Sequence, residues 1–309
     1  MTTFVTGPVT ASVPATSANL GPGFDALGLA LDHRDRVTAE VRDQPGLDIT
    51  VSGVGADQLS LDEGHLVYRS LRSTLEHLGM AVPGLRLHCH NVIPHARGLG
   101  SSSAAIVAGV CLARGLVAGG SLLLGDDGLF ALAAEIEGHP DNVAPALLGG
   151  FTIAYRDAGA FHATRAAVDP RVHAVAFVPP VGVQTSVARA LLPDAVPHHD
   201  AAANAGRAAL LVAAMAGRPE LLLAATEDRL HQSYRQPAMP ETLAVVRRLR
   251  AAGHAAFVSG AGPTVLVLTD LSSAAALAGE CPDGWQLLAL PIDHDGARVE
   301  LPEGARAGE

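Results

Sequence analysis

Lysine is missing from this sequence: all 21 of its lysine-plus-arginine positions are arginine. That absence excludes a Walker A phosphate loop, which needs a lysine after its last glycine. Cysteine is scarce. Cys89, Cys111 and Cys281 are widely spaced, odd in number and form no C-x-x-C pair. A disulfide framework or a structural zinc site is not expected, and a reducing cytoplasm fits. Positive charge is outweighed, with a formal net charge of −10. Nucleic acid and anionic membrane are not expected as partners, because both call for a basic face. A nucleotide site stays open, since it needs only a local positive potential. Apolar runs are broken by glycine or charge before they reach the length of a membrane span. The opening M-T-T-F-V-T-G-P has no basic region followed by an apolar core, so no signal peptide is expected. Internal repeats and long low-complexity stretches are also missing.

What is present is apolar: 49% of 309 residues are hydrophobic, enough for a sizeable core in one large or two ordinary domains. The stretch Asn91 to Ala118 organises the rest. Pro94 stops an apolar run, Gly98 and Gly100 bracket Leu99, and Ser101 to Ser103 open a helix on Ala104 and Ala105. Glycines let the backbone approach a bulky anion. The first turn of a helix leaves N–H groups unpaired at its positive end, which suits phosphate. Such a turn can also be only a turn. A dinucleotide fingerprint fits Gly98, Gly100 and Ser103 poorly, and no acid stands at Ala118 to Leu122.

Other polar constellations are open to two readings. P-A-T-S-A-N-L-G-P-G-F-D, from Pro14, contains glycine and proline and predicts a loop. Ser17, Asn19 and Asp25 are candidates to line a cleft there, unless Asn19 and Asp25 only brace the turn. E-G-H-P-D-N packs Glu137, His139, Asp141 and Asn142 into six residues. Burying them requires partners for each, unless Asp141 simply caps the following turn. Arg189 and Arg235 suit a carboxylate, or are surface charges. Gly260 and Gly262 fit any tight connection between strands. Periodicity predicts helices over 63–78, 102–117, 129–137, 200–216, 219–227, 241–252 and 272–280. Strands are expected over 9–14, 37–42, 85–92, 151–156, 172–178, 255–259, 264–268 and 285–290. A composition break over 157–170 suggests a division into 1–165 and 166–309, and the tail from Pro302 is expected to be disordered.

Pro94 to Ala105 resembles the ATP-binding motif of the GHMP kinases. Two distant stretches, Pro14 to Leu31 and Ser259 to Leu268, agree with the family in the same order. A-N-L-G-P-G-F-D and E-G-H-P-D-N-V-A-P-A resemble the homoserine kinases among them. The resemblance implies a two-domain α+β fold, with an N-terminal domain like domain 2 of ribosomal protein S5 and a ferredoxin-like C-terminal domain. It implies transfer of the ATP γ-phosphoryl to L-homoserine, a step of threonine biosynthesis. The ATP loop would comprise Pro94, His95, Ala96, Arg97, Gly98, Leu99, Gly100, Ser101, Ser102, Ser103 and Ala104. Ser102 and Glu137 would hold Mg2+. Asn19, Asp25, His139, Asp141, Thr185, Arg189, Arg235 and Gly260 would meet the amino acid. Some relatives place a catalytic aspartate where Asn142 stands here, so catalysis without a strong protein base is expected. His65 stands where many homoserine kinases have asparagine near the nucleotide. A homodimer is a further family expectation. A kinase for mevalonate or a sugar alcohol, and a nucleotide-binding regulator without catalysis, are the alternatives.

Overall fold

The computed structural model describes residues 4–302. The strands are β1 (Val9–Asn19), β2 (Gly23–Arg42), β3 (Leu47–Gly53), β4 (Gly84–Asn91), β5 (Phe151–Asp157), β6 (Ala160–Ala166), β7 (His173–Val178), β8 (Ala255–Val258), β9 (Val265–Thr269), β10 (Gln286–Leu290) and β11 (Arg298–Glu300). The helices are α1 (Leu66–His77), α2 (Ser101–Leu116), α3 (Gly120–Leu123), α4 (Asp126–Glu137), α5 (Val143–Leu148), α6 (Thr185–Ala190), α7 (His198–Gly217), α8 (Leu222–Ala225), α9 (Pro240–Ala251) and α10 (Leu271–Ala274). Short 3-10 turns cover Pro219–Leu221, Ser233–Ala238 and Ala275–Glu280.

Two sheets result. The first has the order β11-β1-β2-β4-β3, with β5 on β2 and β6 on β5. Its one parallel pair is β3 with β4. The second is antiparallel, in the order β10-β7-β9-β8. Four strands in the order 4-1-3-2, with helices between the first and second and between the third and fourth, make a ferredoxin-like unit. Val9, Ala11, Val13 and Ala15 of β1 face a continuous core. Helix α2 lies in it, buried around most of its circumference, which its unbroken run of small and branched apolar residues allows. Phe151, Phe177 and Phe257 are fully buried, each contributing about 1.5–3 kcal/mol of transfer free energy.

Two expectations are corrected. The glycine-rich stretch from Pro14 is mostly strand, with only Leu20 to Pro22 left as the turn. The β1–β2 register jumps from Ala18↔Gly28 to Asn19↔Gly23, so Phe24 to Leu27 bulge out of the ladder. A bulge re-aims side chains without ending the sheet, which is why glycine and strand coexist here. Second, Asp141 is not the cap of α5: that position is Asn142, and it makes no side-chain cap bond. The composition break holds β6 of the first sheet, and β11 returns to β1 from the far end of the chain. Strand β6 and helices α5 and α6 carry too little periodicity to be read from sequence, and strand β3, whose L-D-I-T-V-S alternates, was not among the expectations. The helix expected over 272–280 breaks into α10 and a 3-10 turn. The tail expected to be disordered lies, past Pro302, outside the described residues.

Candidate active site

The phosphate-type loop is shaped by backbone chemistry. Gly98 and Gly100 both have left-handed φ, +76° and +70°. A Cβ on Gly98 would stand 2.2 Å from the Ser259 carbonyl oxygen, and one on Gly100 1.9 Å from Thr16 Oγ1. Both positions therefore demand glycine for space as well as for φ. Gly100 is the N-cap of α2 and offers no side-chain cap. The first-turn N–H groups are left for an anion. The loop is fastened on both sides: Thr16 N donates to Leu99 O at 3.0 Å, and Ser259 Oγ to Gly98 O at 2.6 Å.

The helix α4 delivers Glu137 to the same place. Its Oε1 accepts Ser102 Oγ at 2.6 Å and Ser103 Oγ at 2.8 Å. The rest of the carboxylate has no bond to the protein among the described residues. Past the left-handed Gly138, the chain turns to His139, Asp141 and Asn142. His139 Nδ1 lies 2.9 Å from Asp141 Oδ1. Burial pulls the His139 pKa down, but the Asp141 hydrogen bond and the Asp141 and Glu137 charges outweigh it and raise it above the ordinary value. Asn142 lines the cavity, and its Oδ1 accepts Thr16 Oγ1 at 2.8 Å, so the donors it has left for a ligand are its amide N–H groups. This loop can reach the sheet because residue 28 is glycine: a Cβ there would lie 2.1 Å from Asp141 O.

The second sheet's side supplies the arginines. Arg189, from α6, forks onto Asp25 with distances of 2.6 and 3.1 Å. That hydrogen-bonded pairing raises the Arg189 pKa. Arg235 is buried. Its Nη1 donates to Gly260 O at 2.9 Å, and its Nε has no partner. Burial, then the charge of Arg189, lowers its pKa to about 10. Asn19 braces the turn, with Oδ1 accepting Asp25 N at 3.0 Å and Nδ2 donating to Gly260 O at 2.9 Å. It also lines the cavity, so the two sequence readings are both true of it.

These groups meet in one cavity of about 270 Å³, lined among others by Asn19, Gly98, Gly100, Ser101, Ser102, Glu137, His139, Asp141, Asn142, Thr185, Arg189, Arg235 and Gly260. Ala96 lines it too, whereas Pro94, His95 and Arg97 line a second cavity of about 400 Å³ on the other side of the loop. Arg97 turns its guanidinium away from the phosphate side, donating to Pro179 O at 3.0 Å and His95 O at 2.9 Å. Leu99, Ser103 and Ala104 are buried, so only their backbone could face a ligand. Asp25 stands behind Arg189 rather than on the wall. Gln184 lines the cavity and was not singled out from sequence. Thr16 and Ser259 also escaped notice, because their contacts span 126 to 242 residues; Ser17, a sequence candidate for the cleft, is buried against Ser259 Oγ at 2.8 Å and does not line the cavity.

Family models match in two places: the GHMP kinases N-terminal domain over residues 65–150 and the GHMP kinases C-terminal domain over 207–286. A homoserine kinase of Streptomyces avermitilis is 56% identical over 293 residues, covering 95% of both chains. One from Clavibacter michiganensis is 49% identical, covering 96% of this chain and 95% of its own. The chain belongs to the homoserine kinases of the GHMP kinase family. Among solved structures, a homoserine kinase of Cytophaga hutchinsonii superposes with a TM-score of 0.82 at 28% identity, covering 95% of this chain and 97% of its own. A putative homoserine kinase of Listeria monocytogenes gives 0.75 at 32%, covering 95% and 99%. Mevalonate diphosphate decarboxylase of Staphylococcus aureus, at 13% identity and 0.66, shares the fold.

A GHMP kinase uses ATP with Mg2+, and the donor set here suits that ion. Mg2+ takes one or two protein oxygens and completes its shell with phosphate and water. One carboxylate with a free oxygen beside an uncapped helix start provides that. Among the described residues no group of three or more His, Cys, Asp or Glu forms a closed cage. At His65 both ring nitrogens are buried without a partner. Burial, then the charge of His95, lowers its pKa and favours the neutral imidazole.

Proposed function

We propose that the protein transfers the γ-phosphoryl group of ATP to the side-chain hydroxyl of L-homoserine, giving O-phospho-L-homoserine, in the cavity between the two sheets. One observation carries the reading: an uncapped helix start and a serine-braced carboxylate share a cavity with Arg189 and Arg235, and Asp25 holds Arg189 from behind. The phosphates lie on the N–H groups of Gly98 to Ser103. The nucleoside end lies in the cavity lined by Pro94, His95 and Arg97. Glu137 and Ser102 hold Mg2+, which when bound neutralises phosphate charge.

Homoserine carries both an ammonium and a carboxylate. The partners that suit the two groups, Asp25 and Arg189, are paired with each other. Asp25 and Arg189 are about 37% and 36% exposed, so their pair is worth little and exchanges readily. The ammonium takes Asp25 and Asp141, and the carboxylate takes Arg189 and the unpartnered Nε–Nη2 edge of Arg235. Asn19, Thr185 and Gly260 shape the wall, and His139 adds positive potential near the phosphates. Asn142 cannot remove a proton, and its donor face suits a phosphoryl oxygen. Phosphoryl transfer through a loose transition state proceeds by positioning and charge stabilisation, so no strong protein base is required. The three free thiols support a reducing cytoplasm, and no described helix is long and apolar enough to cross a membrane. The family likeness also supports a homodimer, which light scattering tests.

A coupled assay of ADP release tests the reading against its nearest alternatives. Homoserine should be turned over far faster than mevalonate or galactose. Equal turnover of mevalonate would defeat the substrate assignment.

A further inference from the structure

A buried packet lies behind the two arginines. Its centre is His231, with no exposed surface. Two acceptors face its Nε2: Gly21 O at 2.8 Å and Asp228 Oδ1 at 3.5 Å. A donor faces its Nδ1: Arg235 Nη1 at 3.1 Å. Only one arrangement satisfies both sides, a neutral ring with its proton on Nε2. A proton on Nδ1 would point at a guanidinium N–H and set like charges together. Burial, the largest influence on this ring, also lowers its pKa.

The packet is closed by Phe24, the residue beside Asp25 in the β2 bulge. The His231 ring stacks on Phe24 with centroids 5.2 Å apart. The guanidinium carbons of Arg189 and Arg235 lie 5.7 and 5.8 Å from the same ring centroid. Two cations on one aromatic ring are held by its quadrupole in spite of their mutual repulsion. Direction, however, comes from hydrogen bonds. Arg235 Nη1 has two hydrogens, and Gly260 O and His231 Nδ1 take both. That leaves the Nε–Nη2 edge without a protein partner. His231 is in turn fixed to Gly21 O, in the turn of the first motif, 210 residues away in sequence.

We propose that His231 is a positioning residue: as a neutral ring protonated on Nε2, it holds Nη1 of Arg235 and keeps the opposite edge of that guanidinium open for the substrate carboxylate. This rests on the assignment of homoserine above. His231 touches no substrate and acts through Arg235 alone.

Two substitutions separate positioning from packing. His231→Asn keeps an acceptor where Nδ1 stands. His231→Gln keeps a donor reaching toward Gly21 O but loses that acceptor. Both remove the same stack on Phe24. With His231→Gln, KM for homoserine should rise about tenfold, the equivalent of one lost hydrogen bond to a charged group. Its kcat and KM for ATP should stay within about twofold. His231→Asn should restore KM for homoserine to within about threefold of the parent. On 3-aminopropanol, which has the amine and hydroxyl but no carboxylate, the two variants should match the parent. Equal rises in both variants would show packing alone and overturn the proposal, as would an unchanged KM in a folded His231→Gln. A loss on 3-aminopropanol equal to that on homoserine would overturn it too. The parent protein supplies a test free of folding effects. Nitrogen-15 spectra of its histidines should show His231 neutral with the proton on Nε2, and an Nδ1–H ring or an imidazolium at neutral pH would refute the proposal. If the parent does not phosphorylate homoserine at all, the functional assignment itself falls, a result distinct from every outcome above.

Discussion

Replacing Glu137 by glutamine isolates charge from shape. The side chain is about 9% exposed, and Oε1 already accepts both Ser102 and Ser103 hydroxyls. A glutamine carbonyl can accept the same two bonds, so the loop start stays in place. The variant should therefore melt within a few degrees of the parent. What is lost is the negative charge that holds Mg2+ against the phosphates. Removing one preorganised electrostatic stabiliser costs about 10²–10³ in kcat, or about 2.7–4 kcal/mol. We expect a fall of at least about 10² in kcat for Glu137→Gln, with a higher Mg2+ concentration for half-maximal rate. KM for homoserine should change little. ATP affinity without magnesium should also hold, as read by titration calorimetry. The assay is ADP release at saturating homoserine over a magnesium series. Near-parental activity at limiting magnesium would show that Glu137 is not the ligand.

Arg189→Ala should raise KM for homoserine about 30-fold, the low end for removing one partner of a desolvated pair. Lysine should restore it only in part, because a point charge lacks the fork; unchanged kinetics would return Arg189 to the status of a surface charge. Gly98→Ala should raise KM for ATP about tenfold or more, since its Cβ would lie 2.2 Å from Ser259 O at a left-handed φ; a parental KM would mean the loop is soft. Burial pushes the Cys89 and Cys111 thiols up to about 12, so a thiol reagent at pH 8 should titrate Cys281 alone until denaturant is added. Those two groups stay neutral when folded but ionise when unfolded above the ordinary thiol pKa of 9.0. Stability should therefore fall as pH rises from about 9 toward 12, by up to about 1.4 kcal/mol per thiol per pH unit. A melting temperature flat across that range would contradict the shifts.

How much of the site was legible depends on how local its physics is. The phosphate loop could be read because Gly98, Gly100 and the serines act through their own backbone. Glu137 and Asp25 were visible as residues, but only the family resemblance gave them roles. Nothing in a linear pattern shows that Ser102 and Glu137, 35 residues apart, share a hydrogen bond. Phe24 and His231 were invisible for the same reason. The bulge in β2 takes Phe24 out of the β1–β2 ladder and the fold buries His231, and neither event is written in the local pattern around them. Of the fold, the strongly periodic helices α1, α2, α7 and α9 came through within about three residues. Strands β3 and β6 did not. The second is mostly exposed and lacks apolar alternation, whereas the first does alternate, as L-D-I-T-V-S, and was passed over between Gly46 and Gly53.

The most direct test of the whole account is identification of the product. The protein should be incubated with Mg-ATP and L-homoserine, and the mixture followed by phosphorus-31 NMR. The account predicts a new phosphomonoester signal that matches authentic O-phospho-L-homoserine and grows in step with ADP. ADP without that ester, or no ADP from homoserine while another alcohol is phosphorylated, would contradict it.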